Sequence, residues 1–436
     1  MEKSAQPASM NKGFPDTVTC PACGLLCDDL VVENTDGNIK VQQKGCAKSI
    51  AFFERPRQNP SPRIDGKTAD LQSAIKKTAE ILCNAHQPLI AGLGTEAQGM
   101  RAIMSLADRA GATLDHMNSV GNIRNTLVLQ NTGWQVCTLT EVRNRVDLLV
   151  IVGSDVVSLF PRFFERYVWN EQSMFGQDTA AREVVYLGGR NIDTTAGISP
   201  HGIRPEVLPC DLERLPEVMA ALHGLVAGKK LLAENIAGIA TADLQKLADR
   251  LLAAKYSVIA WSAATLDFPH AELTVQNITQ LVAKLNNSTR SSGLPLGGSE
   301  GDIGANQVST WISGYPLRSS FMRGYPEYDP YQFATAQQLG SSEADALLWV
   351  STLNPERLPP SSKGPTVVIG HASMVLATEP EVFIPVGTPG IDHKGTMFRS
   401  DNVVSLPLAK LRESRLPSLS EVIADIELAL KEQQAC

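Results

Sequence analysis

Four of the eight cysteines in this 436-residue chain fall within its first 46 residues, at Cys20, Cys23, Cys27 and Cys46. The spacing Cys-x2-Cys-x3-Cys puts three thiols on one tight loop. Pro21 and Gly24 help that loop turn, and Gly45 lets the chain come close just before the fourth thiol. So short a segment buries too little apolar surface to fold around a core of its own, and it needs a staple. Four converging thiolates are the ligand set of a [4Fe–4S] cube. The same four suit a tetrahedral zinc ion. Structural zinc is usually held by two Cys-x-x-Cys knuckles, and only one is present here. The expectation is therefore an iron–sulfur cluster on Cys20, Cys23, Cys27 and Cys46, with zinc as the alternative. Cys83, Cys137, Cys210 and Cys436 are scattered and read as ordinary thiols; eight cysteines are too sparse for a disulfide framework.

Residues 30–41 (LVVENTDGNIKV) hold two β-prone runs around Asp36-Gly37, a hairpin signal. Residues 1–56 thus form a small cysteine-bearing module. The proline-rich run at 55–62 leads out of it. Beyond that run, apolar stretches bounded by Gly, Pro, Ser or Asn (88–92, 147–153, 184–187, 257–261, 347–351, 366–370 and 382–386) alternate with helix-period segments (71–86, 96–110, 215–226 and 240–254). Strands alternating with helices predict parallel sheets and an α/β architecture. Residues 420–433 read as a terminal amphipathic helix.

A hydrophobic content of 43% with 19% charged residues excludes a disordered chain. The net charge of −7 lacks the basic excess of a nucleic-acid binder. No apolar run is long enough to span a membrane. The first residues lack the apolar core of a secretory signal. Reduced thiols and a cytoplasmic location follow as expectations.

An N-terminal cysteine module followed by α/β domains resembles the molybdopterin oxidoreductase superfamily. Residues 308–333 (VSTWISGYPLRSSFMRGYPEYDPYQF), residues 382–401 (VFIPVGTPGIDHKGTMFRSD) and residues 127–167, from LVLQNTGWQVCTLTEVRNRVD to PRFFERY, narrow the likeness. They resemble the B subunit of formylmethanofuran dehydrogenase, and the match runs in order over most of the chain. The resemblance implies two interleaved α/β domains after the module, one from residues 57–115 and 300–436 and the other inserted at 116–299. It also implies that no C-terminal barrel follows.

The resemblance fails where the family's chemistry sits. The segment Asn118-Ser119-Val120-Gly121-Asn122 corresponds to one that carries a metal-ligating Cys or selenocysteine followed by a His; here those places hold Gly121 and Asn122. Glycine cannot ligate, and asparagine cannot relay a proton as histidine does. Gly297 stands in the place of a family arginine. Gly188-Gly189-Arg190 keeps only the arginine of an Asp-Pro-Arg turn that supports pterin nucleotide binding. The resemblance to a family with these residues removed implies that a molybdenum or tungsten bis-pterin is absent. It points to the B subunit of the bacterial formyltransferase/hydrolase complex of methylotrophs. That complex moves a formyl group from tetrahydromethanopterin to a methanofuran-type carrier and releases formate.

The expected role is a non-catalytic structural subunit among the A, C and D subunits as partners. One alternative is a redox-active dehydrogenase subunit with its metal pterin. The other is a module that binds the methanofuran-type carrier in a vacated pterin cleft, with Arg124, Arg190, Arg318 and Arg323 as candidate anion contacts. His116, His371 and His393 read as core or loop histidines.

Overall fold

The computed structural model describes residues 17–190 and 192–434; Cys436 and the first sixteen residues lie outside them. Two open sheets organise the chain. The larger has nine strands. Its parallel centre runs, side by side, through Thr113–His116, Pro88–Gly94, Ala346–Ser351, Thr366–His371 and Val382–Val386. Short antiparallel pairs flank it, Ser319–Ser320 with Glu327–Tyr328 at one edge and Arg63–Ile64 with Lys67–Thr68 at the other. The central strands are almost continuously apolar and buried, as parallel strands covered on both faces must be. Helix Leu419–Gln434 packs between helices Leu71–Asn84 and Ala97–Ala110 on this sheet. Asp70 and Glu96 cap the first two by accepting from Ser73 N and Gly99 N.

The second sheet has five parallel strands in the order Ser291–Pro295, Ser257–Trp261, Leu148–Val152, Glu183–Leu187 and Glu206–Leu208. Helices Leu215–Val226, Thr241–Ala253 and Glu272–Leu285 cover one face around Trp261. Every strand of this sheet lies between two groups of strands of the larger one, so the chain enters the second layer and returns. Among the described residues no sheet closes into a barrel.

The hairpin around Asp36-Gly37 pairs Val31–Thr35 with Asn38–Gln43. It forms one wall of the cysteine module, and helix Ala47–Phe53 starts directly after Cys46. The module has no separate core. Its buried residues merge with Leu139, Phe163, Tyr167 and Leu296 of the second layer and with Ile391, Met397 and Leu408 near the C-terminal end. No helix among the described residues is long and apolar enough to cross a membrane.

Candidate functional site

The parallel strands of both sheets end on one cleft. Asn118 follows strand Thr113–His116, and Asn354 follows Ala346–Ser351. Ala263 follows Ser257–Trp261, and Leu296 follows Ser291–Pro295. In open α/β sheets ligands bind outside the carboxyl ends of the strands, so the topology alone marks this place. The cleft has a volume of about 500 Å³. Cys23, Lys48 and Arg55 close it from the cysteine module, and Asn122, Gly297, Glu300 and Asp302 line it deeper in. Two of the three positions where the family's chemical residues are missing, Asn122 and Gly297, thus face one cavity. A second cavity of about 510 Å³, walled by Trp134 and Trp311, shares Asn122 and Gly297 with it.

The third position behaves differently. Gly121 lies in the first turn of helix Ser119–Thr132 and is buried. A Cβ built on it would fall 2.9 Å from Ala264 Cα and 3.1 Å from Ala264 Cβ. The turn Ala263–Thr265 therefore fills the space a metal-ligating side chain would need. Arg124, one turn further along the helix, holds that turn in place. It is buried and donates from Nη1 to the Ala263 carbonyl at 2.7 Å and from Nη2 to Asp267 Oδ1 at 2.9 Å.

The pterin-side position is crowded by a side chain that can turn, not by backbone. A Cβ on Gly188 would meet Leu215 Cδ2 at 2.5 Å, and Arg190 is exposed and bonded to Asp211 at 2.7 Å. The residues present do not fit a metal-bearing pterin. Gly297 by contrast has open space around its missing Cβ.

A polar knot ties the two walls of the cleft together. Asn118 Nδ2 donates to Ser299 Oγ at 2.9 Å and to Glu300 Oε2 at 3.0 Å. Glu300 also accepts from Asn354 and from Arg357, both at 3.1 Å. Burial works against its carboxylate, but the bonds from Asn118 and Arg357 hold it down to about 2. Asp302, the first residue of helix Asp302–Ser313, has the opposite fate. Burial pushes it up to about 7. Asn122, donating to Oδ2 at 3.2 Å, resists this, and the neighbouring Glu300 charge adds to it. Asp302 Oδ1 is buried without a hydrogen-bond partner. Two carboxyl groups two residues apart are thus split, one ionised and one close to neutral pH. Neither was picked out from sequence; the acidic pair Glu300 and Asp302 in the Gly-rich stretch Gly297–Asp302 at a helix start was the available signal.

His116 lies beneath this knot. Its Nδ1 accepts from Asn118 N at 3.0 Å, which leaves the proton on Nε2 facing the Glu300 carbonyl at 3.2 Å. Burial pushes it down to about 4, so it is a neutral core histidine. His371 is buried and likewise pushed down to about 4, by burial and then by Arg55. His393 faces the carbonyls of Gly387 and Lys394, away from the cleft. The four candidate anion-binding arginines are all engaged. Besides Arg124 and Arg190, Arg318 is buried against Asp115 at 3.3 Å and Arg323 bonds Glu327 at 3.2 Å. Cys137 is buried at the second sheet's edge, where its N–H meets the Gly293 carbonyl.

Cys20, Cys23 and Cys27 are buried and Cys46 is half-buried. Cys20 lies within Coulombic reach of the other three. Burial raises the thiols of Cys20 and Cys23, and pushes Cys27 up to about 12 against the pull of Arg166. The backbone at Ala22 and Leu25 works against that rise at Cys20 and Cys23. Lys48, Arg162 and Arg166 supply positive charge. Among the described residues no three His, Cys, Asp or Glu side chains close on a single ion. Buried sulfurs with surrounding cations suit a bound anionic group, the charge that a thiolate-held centre carries. The module is locked to the cleft at Gly24. A Cβ there would fall 1.9 Å from the Gly297 oxygen, and its own carbonyl accepts from Ser400 N at 2.8 Å.

The α/β fold is shared with acetylene hydratase from Pelobacter acetylenicus, which superposes with a TM-score of 0.64 over 96% of this chain and 70% of its own, at 10% identity. In sequence the chain is similar to the B subunits of formylmethanofuran dehydrogenase and of the Fhc complex. It is 28% identical over 402 residues to the B subunit of the tungsten-containing formylmethanofuran dehydrogenase 2 of Methanocaldococcus jannaschii, covering 88% of this chain and 91% of the relative. It is also 28% identical over 375 residues to the B subunit of the formyltransferase/hydrolase complex Fhc of Methylorubrum extorquens, covering 85% and 97%. The crystal structure of that FhcABCD complex with methylofuran matches with a TM-score of 0.73 and 26% identity, over 86% of this chain and 100% of the matched one. No family model matches the chain.

Proposed function

We propose that this chain is the non-catalytic B subunit of a formyltransferase/hydrolase complex, acting in the cytoplasm in tetrahydromethanopterin- and methanofuran-linked one-carbon metabolism. Equal identity to a tungsten enzyme and to Fhc leaves sequence similarity undecided between the two. The observation that carries the choice is Gly121 packed beneath Ala264. The position has neither a ligand nor the volume for one. Formyl transfer and hydrolysis need no electrons, so a chain with this closed position can serve such a complex. Its surfaces would then meet the A, C and D subunits. The FhcABCD structure with methylofuran supports that assembly and a methanofuran-type carrier in the complex. Cys20, Cys23, Cys27 and Cys46 would hold a [4Fe–4S] cluster that anchors the module, in preference to zinc.

Metal analysis and pterin release on the purified complex test this reading. The expected result is iron without tungsten, molybdenum or pterin, and no reduction of an artificial acceptor by a formylated furan carrier. Stoichiometric tungsten or molybdenum with pterin would overturn it in favour of a dehydrogenase subunit.

A further inference from the structure

Residues 161–167, PRFFERY, form the face of the second layer that meets the cysteine module. A short π-helical turn runs through Phe164–Val168, with Trp169 N bonded to the Phe164 carbonyl at 2.8 Å. π turns are rare and concentrate at functional sites. Here the turn lies beside two arginines that point back to the residues immediately after Cys27. Arg162 grips Asp29 with two parallel bonds, Nη1 to Oδ1 at 2.7 Å and Nη2 to Oδ2 at 2.8 Å, and binds Glu165 as well. Arg166 bonds Asp28 Oδ1 at 2.6 Å and reaches Asp29 too. Both guanidiniums are largely buried, whereas Asp28 is exposed.

The charges on these groups are unequally spent. Arg162 faces two carboxylates, Asp29 and Glu165, and is neutralised by them. Arg166 shares Asp29 with Arg162, and its remaining partner, Asp28, is more than half in water, where an ion pair is screened. Its Nε–H is buried without an acceptor. Arg166 is also the leading charge acting on Cys27. A buried cation with an unspent donor beside a ligand sulfur stabilises whichever state of that site carries more negative charge.

We infer that Arg166, balanced by Asp28, sets the reduction potential of a cluster held by Cys20, Cys23, Cys27 and Cys46. This rests on the iron–sulfur reading above. Four thiolates outweigh the positive charge of the cube, so the group is anionic, and it gains a further negative charge when it takes one electron from a reductant. Arg166 then acts as a tuning residue, not a ligand. Removing its charge disfavours the reduced form, and removing Asp28 favours it.

The test is a potentiometric titration with dithionite, followed by electron paramagnetic resonance, on anaerobically purified complex. Arg166→Gln should lower the ratio of reduced to oxidised cluster at a fixed potential about ten-fold, a downward shift of about 59 mV for one electron. Arg166→Lys should recover most of that shift. Asp28→Asn, on an exposed side chain, should move the potential upward. Opposite signs at positions 28 and 166 are something a merely structural contact would not produce. Unchanged potentials in Asp28→Asn and Arg166→Gln with full iron and sulfide would overturn the tuning role. Absence of iron and sulfide from the unmodified complex would overturn the cluster reading beneath it, and that analysis precedes any variant. If Arg166→Gln loses the cluster altogether, the Lys and Asn variants decide the outcome.

Discussion

The Cβ that Gly121 lacks would stand 2.9 Å from the Cα of Ala264. The atom it would meet is backbone, so the contact cannot be relieved by turning a side chain. Gly121→Ala gains about 1 kcal/mol of helix propensity but overpacks a closed interface at a cost of about 1–3 kcal/mol. The expected outcome is a lower Tm by thermal scanning. Gly121→Cys restores a thiol but not the space, and tungsten and molybdenum should stay at background by elemental analysis. Gly297→Arg, into open space, should leave the Tm almost unchanged. A stabilised Gly121→Cys protein that gains metal would refute the packing account.

Arg124 holds the turn that fills this position. Two bonds leave its guanidinium, and they differ in weight. The Ala263 carbonyl is buried, so Arg124→Met leaves it unpaired at a cost of about 1–3 kcal/mol. Asp267 is 85% exposed at its side chain. Breaking that ion pair alone, as in Asp267→Asn, should cost at most about 1 kcal/mol. Paired denaturant titrations check the inequality. Equal losses from the two variants would contradict it.

Asp302 predicts a pH dependence with a definite sign. In the unfolded chain its carboxyl titrates near the usual value of about 3.9, and in the fold burial lifts it to about 7. Between those values the native state keeps a proton that the unfolded chain has lost. Stability from this group is therefore complete below about pH 4 and declines as pH rises through 7. Asp302→Asn keeps an acceptor for Asn122 and removes the titration. Its Tm advantage over the unmodified protein should grow from pH 5 to pH 8. Glu300, ionised in both proteins over this range, and neutral His116 do not reverse the trend. A Tm difference that is flat with pH would show that Asp302 is ionised throughout.

The cysteine module makes a further prediction. If its cluster is a staple, Cys23→Ala should deplete iron and lower the Tm or the yield of complex. Formate production per intact complex should remain. A fall in turnover of the intact complex would assign the module a part in the chemistry.

Sequence made the two-layer architecture legible because parallel strands are read as apolar runs. The strands Leu148–Val152, Thr366–His371 and Val382–Val386 lie where such runs stand. The cleft walls were harder to read. Helix Ser119–Thr132 buries Ser119, Gly121, Arg124 and Val128, of which only one is a large apolar side chain. Its buried face is packed by a glycine and a hydrogen-bonded arginine against the turn Ala263–Thr265, and hydrophobic periodicity cannot register such a face. Strand Thr113–His116 likewise buries Asp115, bonded to Arg318 and Thr335, and His116, bonded to the Glu300 carbonyl and Asn118 N. Cys20, Cys23, Cys27 and Cys46 announced themselves by spacing. Their cationic surroundings at Arg162 and Arg166 come from more than a hundred residues away and were visible only once the layers were packed.

The contact between Gly24 and Gly297, sealed by Ser400, has a consequence for how the protein is made. The cysteines leave the ribosome first, yet the groups that wall them in are translated late. At roughly 5–20 residues per second, Ser400 follows Cys46 by tens of seconds. Over that interval the four thiols belong to a nascent segment without its walls. The contact of Gly24 with Gly297 and Ser400 therefore closes over the thiols only after most of the chain has been made.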